Sequence, residues 1–510
     1  MADKVVVAVA VAVLVVVLSL AKLKSWLCAK PKPKLHLPPG PWTLPVIGSL
    51  HHLISSPLLH RTLRRLSQKH GLLMMLRLGE VPLLVVSSPE AAQEILKTHD
   101  TTFADRITSA TTSSMTYNPT NMALSPYGER WRHLRKICVM ELLSAARVQS
   151  FRRTREEEAA RLVAKVAASA AVASSMDMSA VFKAFISDTI TRECVGSRSQ
   201  YNDVYVNAFH EAIRHSSGLS VADVFPSSRI MQMLATGPRN GLACRDRMQR
   251  ILELVLKEKK EAIHRGDQTV EETFVGVLLR LQKEGDAPIE LTDGTICSLM
   301  FDMLSAGSDT STSVLTWCMT ELIRYPTAMA KVQAEVRETF KGMSRVTEED
   351  IATADISYLK LVIKETLRMH TQLPLLIPRR CRKACQVMGY DIPEGTTVMV
   401  NVWAICRNPK YWDDPEEFKP ERFENSNLQY KGTNYEYLPF GSGRRMCPGA
   451  NLGLANVNLA LVSLLYHFDW KLCDGLEPKD VDVSEDVGLV ANKKTSLVLC
   501  PVTRIAPADV

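Results

Sequence analysis

The sequence predicts one large, mostly α-helical domain held behind a single N-terminal membrane helix. Three observations point there: an uncharged apolar run at the start of the chain, a long proline-free helical stretch past its middle, and a glycine-flanked cysteine followed by an apolar helix near its end. The 510-residue length alone suggests about three domains. No linker divides the chain beyond its first forty-five residues and no fixed-period repeat is present, so a single large core is the simpler reading. Hydrophobic residues make up 46% and charged residues 23%, which excludes bulk disorder and multiple membrane spans.

Val5 to Ala21 carries no charge, and Lys22, Lys24, Lys30, Lys32 and Lys34 follow it. The run is at the short end for a bilayer span, with Trp26 and Leu27 able to extend it into the interface. A cleaved signal peptide would carry its positive charge in front, whereas only Lys4 precedes this run. The lysine-rich side stays in the cytosol by the positive-inside rule. Residues 1–21 therefore read as a single-pass anchor, 22–45 as a basic and proline-rich linker, and 46–510 as the catalytic domain. The five lysines account for most of the formal charge of +7, so the domain is near neutral and no nucleic-acid partner is expected. Pro38 to Pro45 (PPGPWTLP) is a stiff spacer, because each proline fixes φ. Twelve cysteines at wide intervals, without paired zinc spacing, predict reduced thiols rather than a disulfide framework.

From about Thr292 to Arg324 no proline interrupts a helical composition, which predicts a helix about 45 Å long. Its centre, Ala306 to Ser313 (AGSDTSTS), is an odd choice for a helix interior. Glycine there costs about 1 kcal/mol, and Ser and Thr compete for backbone hydrogen bonds, so a local opening is expected. Ala306 and Thr310 share a face.

Phe440 to Gly449 reads FGSGRRMCPG. An axial Cys447 thiolate would push electron density onto a haem iron and favour O–O cleavage. Gly443 and Gly449 let the backbone bend and lie close to a flat macrocycle. Arg445 offers a fixed fork of donors for a haem propionate, and Phe440 can shield the sulfur. Asn451 to Val462 then reads as a helix whose first N–H groups point at the thiolate.

The pattern F-x-x-G-x-R-x-C-x-G is the signature of the cytochrome P450 family, which this chain resembles from about Pro38 to its end. The resemblance implies the cytochrome P450 fold, a helical haem-thiolate domain with small β-sheets, binding haem b through Cys447 as the metal ligand. Ala306 to Ser311 (AGSDTS) matches the family's oxygen-activation motif. Ala306 and Gly307 then leave room above the haem for O2, while Thr310 and Asp309 relay the protons that O–O cleavage consumes. Glu365 and Arg368, three apart on one helical face, join Arg422 of Pro420 to Phe423 (PERF) in the family's structural Glu-Arg-Arg cluster. Glu321 and Arg324 have the same spacing and are expected to form a surface pair. Trp131 and Arg135, one helical turn apart, are expected at the haem propionates, as is Arg379, with Arg380 a substitute.

No nicotinamide fingerprint appears in the chain. The resemblance accordingly implies a separate NADPH-cytochrome P450 reductase carrying the flavins, docked on a basic patch of Arg130, Arg132, Lys136 and Arg444. Both proteins would sit in the endoplasmic reticulum membrane. Met303, Leu376, Ile377, Leu489 and Val490 are candidate apolar walls of a substrate pocket, with residues 106–127 as a lid. Leu37 to Gly48 (LPPGPWTLPVIG) and Tyr437 to Gly443 (YLPFGSG) are similar to the plant microsomal branch, with cereal oxidases of sesquiterpene and diterpene olefins the nearest in kind. That implies a monooxygenase of a small hydrophobic defence terpenoid. A phenylpropanoid, flavonoid or indole-derived substrate is the alternative, and a non-catalytic haem sensor or carrier the alternative of another class.

Overall fold

The computed structural model describes residues 35–54, 56–115, 121–197, 202–216, 220–285, 289–473 and 475–507. The anchor assigned to residues 1–21 lies outside them. Among the described residues no helix is long and apolar enough to cross a membrane.

Helices dominate the described residues, among them α1 (Leu59–His70), α2 (Glu129–Ile137), α3 (Arg152–Ala171), α4 (Met178–Val195), α5 (Asn202–Ser216), α6 (Thr236–His264), α7 (Asp293–Arg324), α8 (Pro326–Thr339), α9 (Ser357–Met369) and α10 (Ala450–His467). Capping explains several boundaries. Thr292 accepts the Thr295 N–H at the start of α7, Asp177 accepts the Ala180 N–H at the start of α4, and Gly196 ends α4 in the left-handed conformation.

Among the described residues three small sheets accompany the helices. β1 (Leu73–Leu78), β2 (Val81–Val86), β3 (Asp105–Arg106), β5 (Arg379–Arg380) and β8 (Thr397–Val400) form one sheet in the order β1-β2-β8-β5-β3. β4 (Met176–Asp177) joins β10 (Val498–Thr503) and β9 (Phe468–Leu472), and β6 (Cys385–Val387) pairs with β7 (Tyr390–Ile392). The proline-rich segment is docked rather than dangling: Met75 N–H donates to the Pro39 carbonyl at 2.8 Å, and a Cβ on Gly40 would lie 2.0 Å from the Met75 oxygen.

Helix α7 is the axis of the molecule, packed against α4, α6, α9 and α10. Residues 295–303 and 311–323 are almost all buried, as expected of a helix enclosed on every side. Between these stretches Ala306 is exposed and Gly307 to Thr310 are half-buried.

Three expectations need correction. The helix runs unbroken through 306–313, because Ser308, Thr310 and Thr312 donate their hydroxyls to the carbonyls of Leu304, Ala306 and Ser308, four residues back, at 2.7, 2.8 and 2.8 Å. These side chains bond to the backbone without displacing the helical ladder. Glu321 and Arg324 do pair, at 2.8 Å, but Glu321 is fully buried and also meets His370 Nε2 at 2.8 Å. Finally, Cys473 and Cys500 form a disulfide, since antiparallel pairing of β9 with β10 brings their Cα atoms within 5.9 Å. Seven of the remaining described cysteines are buried free thiols, as expected.

Candidate active site

The cysteine loop is built from its own backbone. Cys447 N–H donates to the Phe440 carbonyl at 2.9 Å and Met446 N–H to that of Gly443 at 3.0 Å. Gly441 and Gly443 both have φ of +69°, the left-handed region that favours glycine. A Cβ on Gly443 would lie 2.4 Å from the Leu96 carbonyl oxygen and 2.8 Å from Asp100 Oδ1, so the neighbour that excludes a side chain there is the turn at residues 94–100. Gly449 is the N-cap of α10. Phe440 packs edge-on to Tyr430 at 5.8 Å. The Cys447 side chain is accessible, yet it lies deep enough that loss of water raises its thiol pKa, against the opposing pull of the Gly449 N–H and Arg135. A sulfur that is both deep and accessible faces an internal cleft.

Buried guanidinium groups converge beside that loop. Arg445 donates to the carbonyls of Ala104, Met122 and Ser125 at 2.9, 3.2 and 2.6 Å, and stacks 4.2 Å over the Trp131 ring. Trp131 Nε1 donates to the same Met122 carbonyl at 3.0 Å, so the indole N–H is committed within the chain. Arg135 donates to the Met446 carbonyl at 2.6 Å, and Arg379 bonds Asp100 at 3.1 Å and the Ser442 carbonyl at 2.9 Å. Arg106, read from the sequence only as the edge of a lid, donates to the carbonyls of Ile377, Pro378 and Ala123 at 2.6, 3.1 and 3.0 Å. Burial, then repulsion from Arg379, depresses Arg445 to about 9. Burial, then repulsion from Arg445 and Arg379, carries Arg106 well below its ordinary value. Against these cations stand the carboxylates of Asp100 and Asp105. Such a surplus of buried positive charge suits an anionic ligand, as the two propionates of a haem would be.

Helix α7 carries Ala306, Asp309 and Thr310 where its burial is interrupted. Gly307 gives close packing to Ile190 of α4, whose Cδ1 would lie 3.1 Å from a Cβ there, so its smallness serves the helix contact. A Cβ on Gly453 would sit 3.4 Å from Ser311 Oγ, which places α10 against α7 next to both motifs. Leu376, with φ of +52°, packs over Gly441 of the cysteine loop. Met303 and Val490 are buried and Leu489 is exposed. Asp302, one turn before Ala306, is buried and accepts the Met122 N–H at 2.6 Å, while desolvation raises its pKa to about 7. Met122 thus links α7 to the cations beside the cysteine loop: its N–H is held by Asp302 and its carbonyl accepts from Arg445 and Trp131.

A family model described as Cytochrome P450 matches residues 38–500. The chain belongs to the cytochrome P450 family. It is 62% identical over 509 residues, all of both chains, to zealexin A1 synthase of Zea mays, and 61% identical over the same length to dolabradiene monooxygenase of Zea mays. It is 53% identical over 488 residues, 94% of each chain, to ent-cassadiene hydroxylase of Oryza sativa subsp. japonica. This cytochrome P450 is a monooxygenase that binds haem b and takes electrons from NADPH through a reductase.

Buried ion clusters brace this P450, two of them around pairs that the sequence spacing singles out. Arg368 meets Glu365 at 2.7 and 2.9 Å and fills its remaining donors with the carbonyls of Cys406, Pro415 and Glu417. Arg422 completes the predicted triad at 2.9 Å from Glu365. The cluster reaches the cysteine loop through the neighbouring Lys364 carbonyl, which accepts from Tyr437 at 2.9 Å. The second cluster, Glu321 with His370 and Arg324, is capped by Trp317 stacked 3.8 Å over the His370 ring. The spacing of Glu321 and Arg324 is visible in the sequence, but nothing local signals the third member, because His370 comes from a separate segment. The four residues of the basic patch are exposed, with Arg130 also reaching Thr295 at 3.0 Å.

Proposed function

We propose that this P450 hydroxylates or epoxidises a sesquiterpene or diterpene olefin of plant defence metabolism. Its catalytic domain, 46–510, would face the cytosol from the endoplasmic reticulum membrane, held by the anchor at 1–21 and the linker at 22–45. The observation that carries the chemistry is an accessible Cys447 sulfur together with the opening in the burial of α7 at Ala306 to Thr310, where Asp309 and Thr310 stand. Haem b held by the Cys447 thiolate supplies O2 activation. Arg106, Arg379 and Arg445 neutralise its propionates, with Trp131 and Arg135 holding the backbone between them. The Gly449 N–H tempers the charge on the sulfur.

Thr310 donates its hydroxyl to the Ala306 carbonyl at rest, which leaves its oxygen able to accept a proton from the direction of Asp309 and pass its own forward. Met303, Leu376, Ile377, Leu489 and Val490 supply apolar surface that fits a hydrocarbon skeleton. Names of relatives at 53–62% identity, among them a dolabradiene monooxygenase and an ent-cassadiene hydroxylase, favour a terpenoid over a phenolic substrate. The test is product formation by microsomes holding the chain and a plant reductase, given NADPH and a panel of terpene olefins, flavonoids and indoles. An oxygenated terpene is expected, and turnover restricted to the phenolic or indole compounds would overturn the substrate assignment.

A further inference from the structure

We propose that Asn492 orients the Asp309 carboxylate and is thereby a positioning residue for proton delivery; this rests on the assignment of Asp309 to that step. Asn492 Nδ2 lies 3.4 and 3.3 Å from the two carboxylate oxygens, so one amide nitrogen is shared between both. The amide must turn its nitrogen toward Asp309, because the reverse orientation would set its carbonyl oxygen against a carboxylate.

The backbone that carries Asn492 has little freedom. It belongs to a short hairpin in which Glu485 bridges to Lys493, Asp486 N–H donates to the Asn492 carbonyl at 2.8 Å, and Asn492 N–H donates to that of Val490 at 2.9 Å. One residue earlier, the Ala491 carbonyl accepts from Trp317 Nε1 at 2.8 Å and Ser313 Oγ at 3.2 Å, while Ala491 N–H donates to the Gln372 carbonyl at 2.9 Å. Ser313 and Trp317 lie one and two turns beyond Asp309 on α7. The hairpin is therefore clamped to the helix whose acid it holds. Its base is fixed from behind by buried Glu485, which meets His60 at 2.9 Å and Arg61 at 3.3 Å.

The choice of an amide has a chemical reason. A lysine or arginine in its place would hold the carboxylate ionised and oppose its taking up a proton, whereas a neutral donor fixes direction and leaves proton uptake open. The same hairpin carries Leu489 and Val490, so the segment offered to the substrate also sets the acid.

The test uses the full chain with its reductase and the panel olefin that gives most product. Asn492→Ala and the isosteric Asn492→Asp are compared with Asp309→Asn for product per NADPH, peroxide release, solvent isotope effect and spectral substrate affinity. Hydrogen exchange across residues 484–494 is measured on the purified variants. Asn492→Ala is expected to lower product per NADPH by about three- to tenfold, with peroxide rising in step. Its solvent isotope effect should move toward that of Asp309→Asn, while affinity and exchange stay as in the parent. Asn492→Asp, which sets like charges together in the same volume, should lose more. Parental coupling in Asn492→Ala beside an impaired Asp309→Asn would overturn the proposal alone. Parental coupling in Asp309→Asn would instead remove the Asp309 assignment beneath it. Lost exchange protection across the hairpin in both Asn492 variants would make the residue structural and overturn the positioning role.

Discussion

The two walls of the proposed site, the cysteine loop and the centre of α7, are held in different ways. On the cysteine side the partners are backbone groups: the carbonyls of Phe440, Gly443, Met446, Met122, Ala104 and Ser125 accept from the loop or its arginines. On the α7 side, Asp309 is held by a side chain reaching across from another segment, Asn492, and Trp317 and Ser313 of α7 hold that segment in turn through the Ala491 carbonyl. A wall fixed through backbone tolerates few substitutions because φ, ψ and carbonyl direction are all committed. A wall fixed through side chains can be altered one residue at a time, which suits the part of a site that meets substrate.

The sharpest way to break this contrast is to replace the sulfur while leaving the backbone alone. Cys447→His is expected to keep the far-ultraviolet circular dichroism of the parent while losing the red-shifted carbon monoxide band of a haem thiolate. Monooxygenase activity should fall by about a thousandfold or more. A retained thiolate spectrum would remove Cys447 from the role assigned to it.

Next in size is the brace beneath that wall. Arg368→Ala leaves buried Glu365 with only Arg422 and the Lys419 N–H as partners, and should cost about 3–5 kcal/mol. Chemical denaturation read beside haem retention measures it, and a loss under 1 kcal/mol would show that the triad is dispensable.

Asp302 tests the seam between the walls through pH. Its carboxyl is raised from 3.8 to about 7, so the folded state holds a proton that the unfolded state has released across that interval. The associated stability is present below about 4 and is lost as pH rises through 7. Asp302→Asn removes this slope, so its stability relative to the parent should grow by about 2–3 kcal/mol between pH 5 and pH 8. Denaturation curves at the two pH values decide it, and parallel curves would sink the account of a desolvated acid.

The smallest change is expected on the adjustable wall. Thr310→Ala should leave folding and haem uptake intact and reduce product per NADPH by about tenfold, the electrons appearing as peroxide. Unchanged coupling would take the hydroxyl out of the proton path.

Much of this was legible in short motifs because their physics is local. Cys447 with its glycines, the Ala306 to Ser311 run, and Glu365 with Arg368 each lie within ten residues or fewer, and helical or loop geometry brings their members together whatever surrounds them. Reading failed where a local rule met tertiary packing. Glu321 and Arg324 carry the spacing of a surface pair, yet the end of α7 is enclosed and His370 arrives from α9's terminus to share the carboxylate. The hydroxyl-rich centre of α7 predicted an opening, but side-chain bonds four residues back leave the ladder whole. At Gly443 the fold adds a neighbour that the motif does not show, the Leu96 carbonyl.

The sequence by itself determined that this chain is a helical haem-thiolate enzyme, because the cysteine loop and the oxygen-side motif are contiguous and their chemistry does not depend on distant partners. Only the tertiary structure decided that Arg106 joins the cations beside the loop, that Asp302 ties α7 to them through Met122, and that Asn492 meets Asp309. Those pairings join residues up to 341 positions apart, as in Arg445 with the Ala104 carbonyl. Contacts of that kind are set by how helices and hairpins pack, and no periodicity or spacing along the chain encodes them.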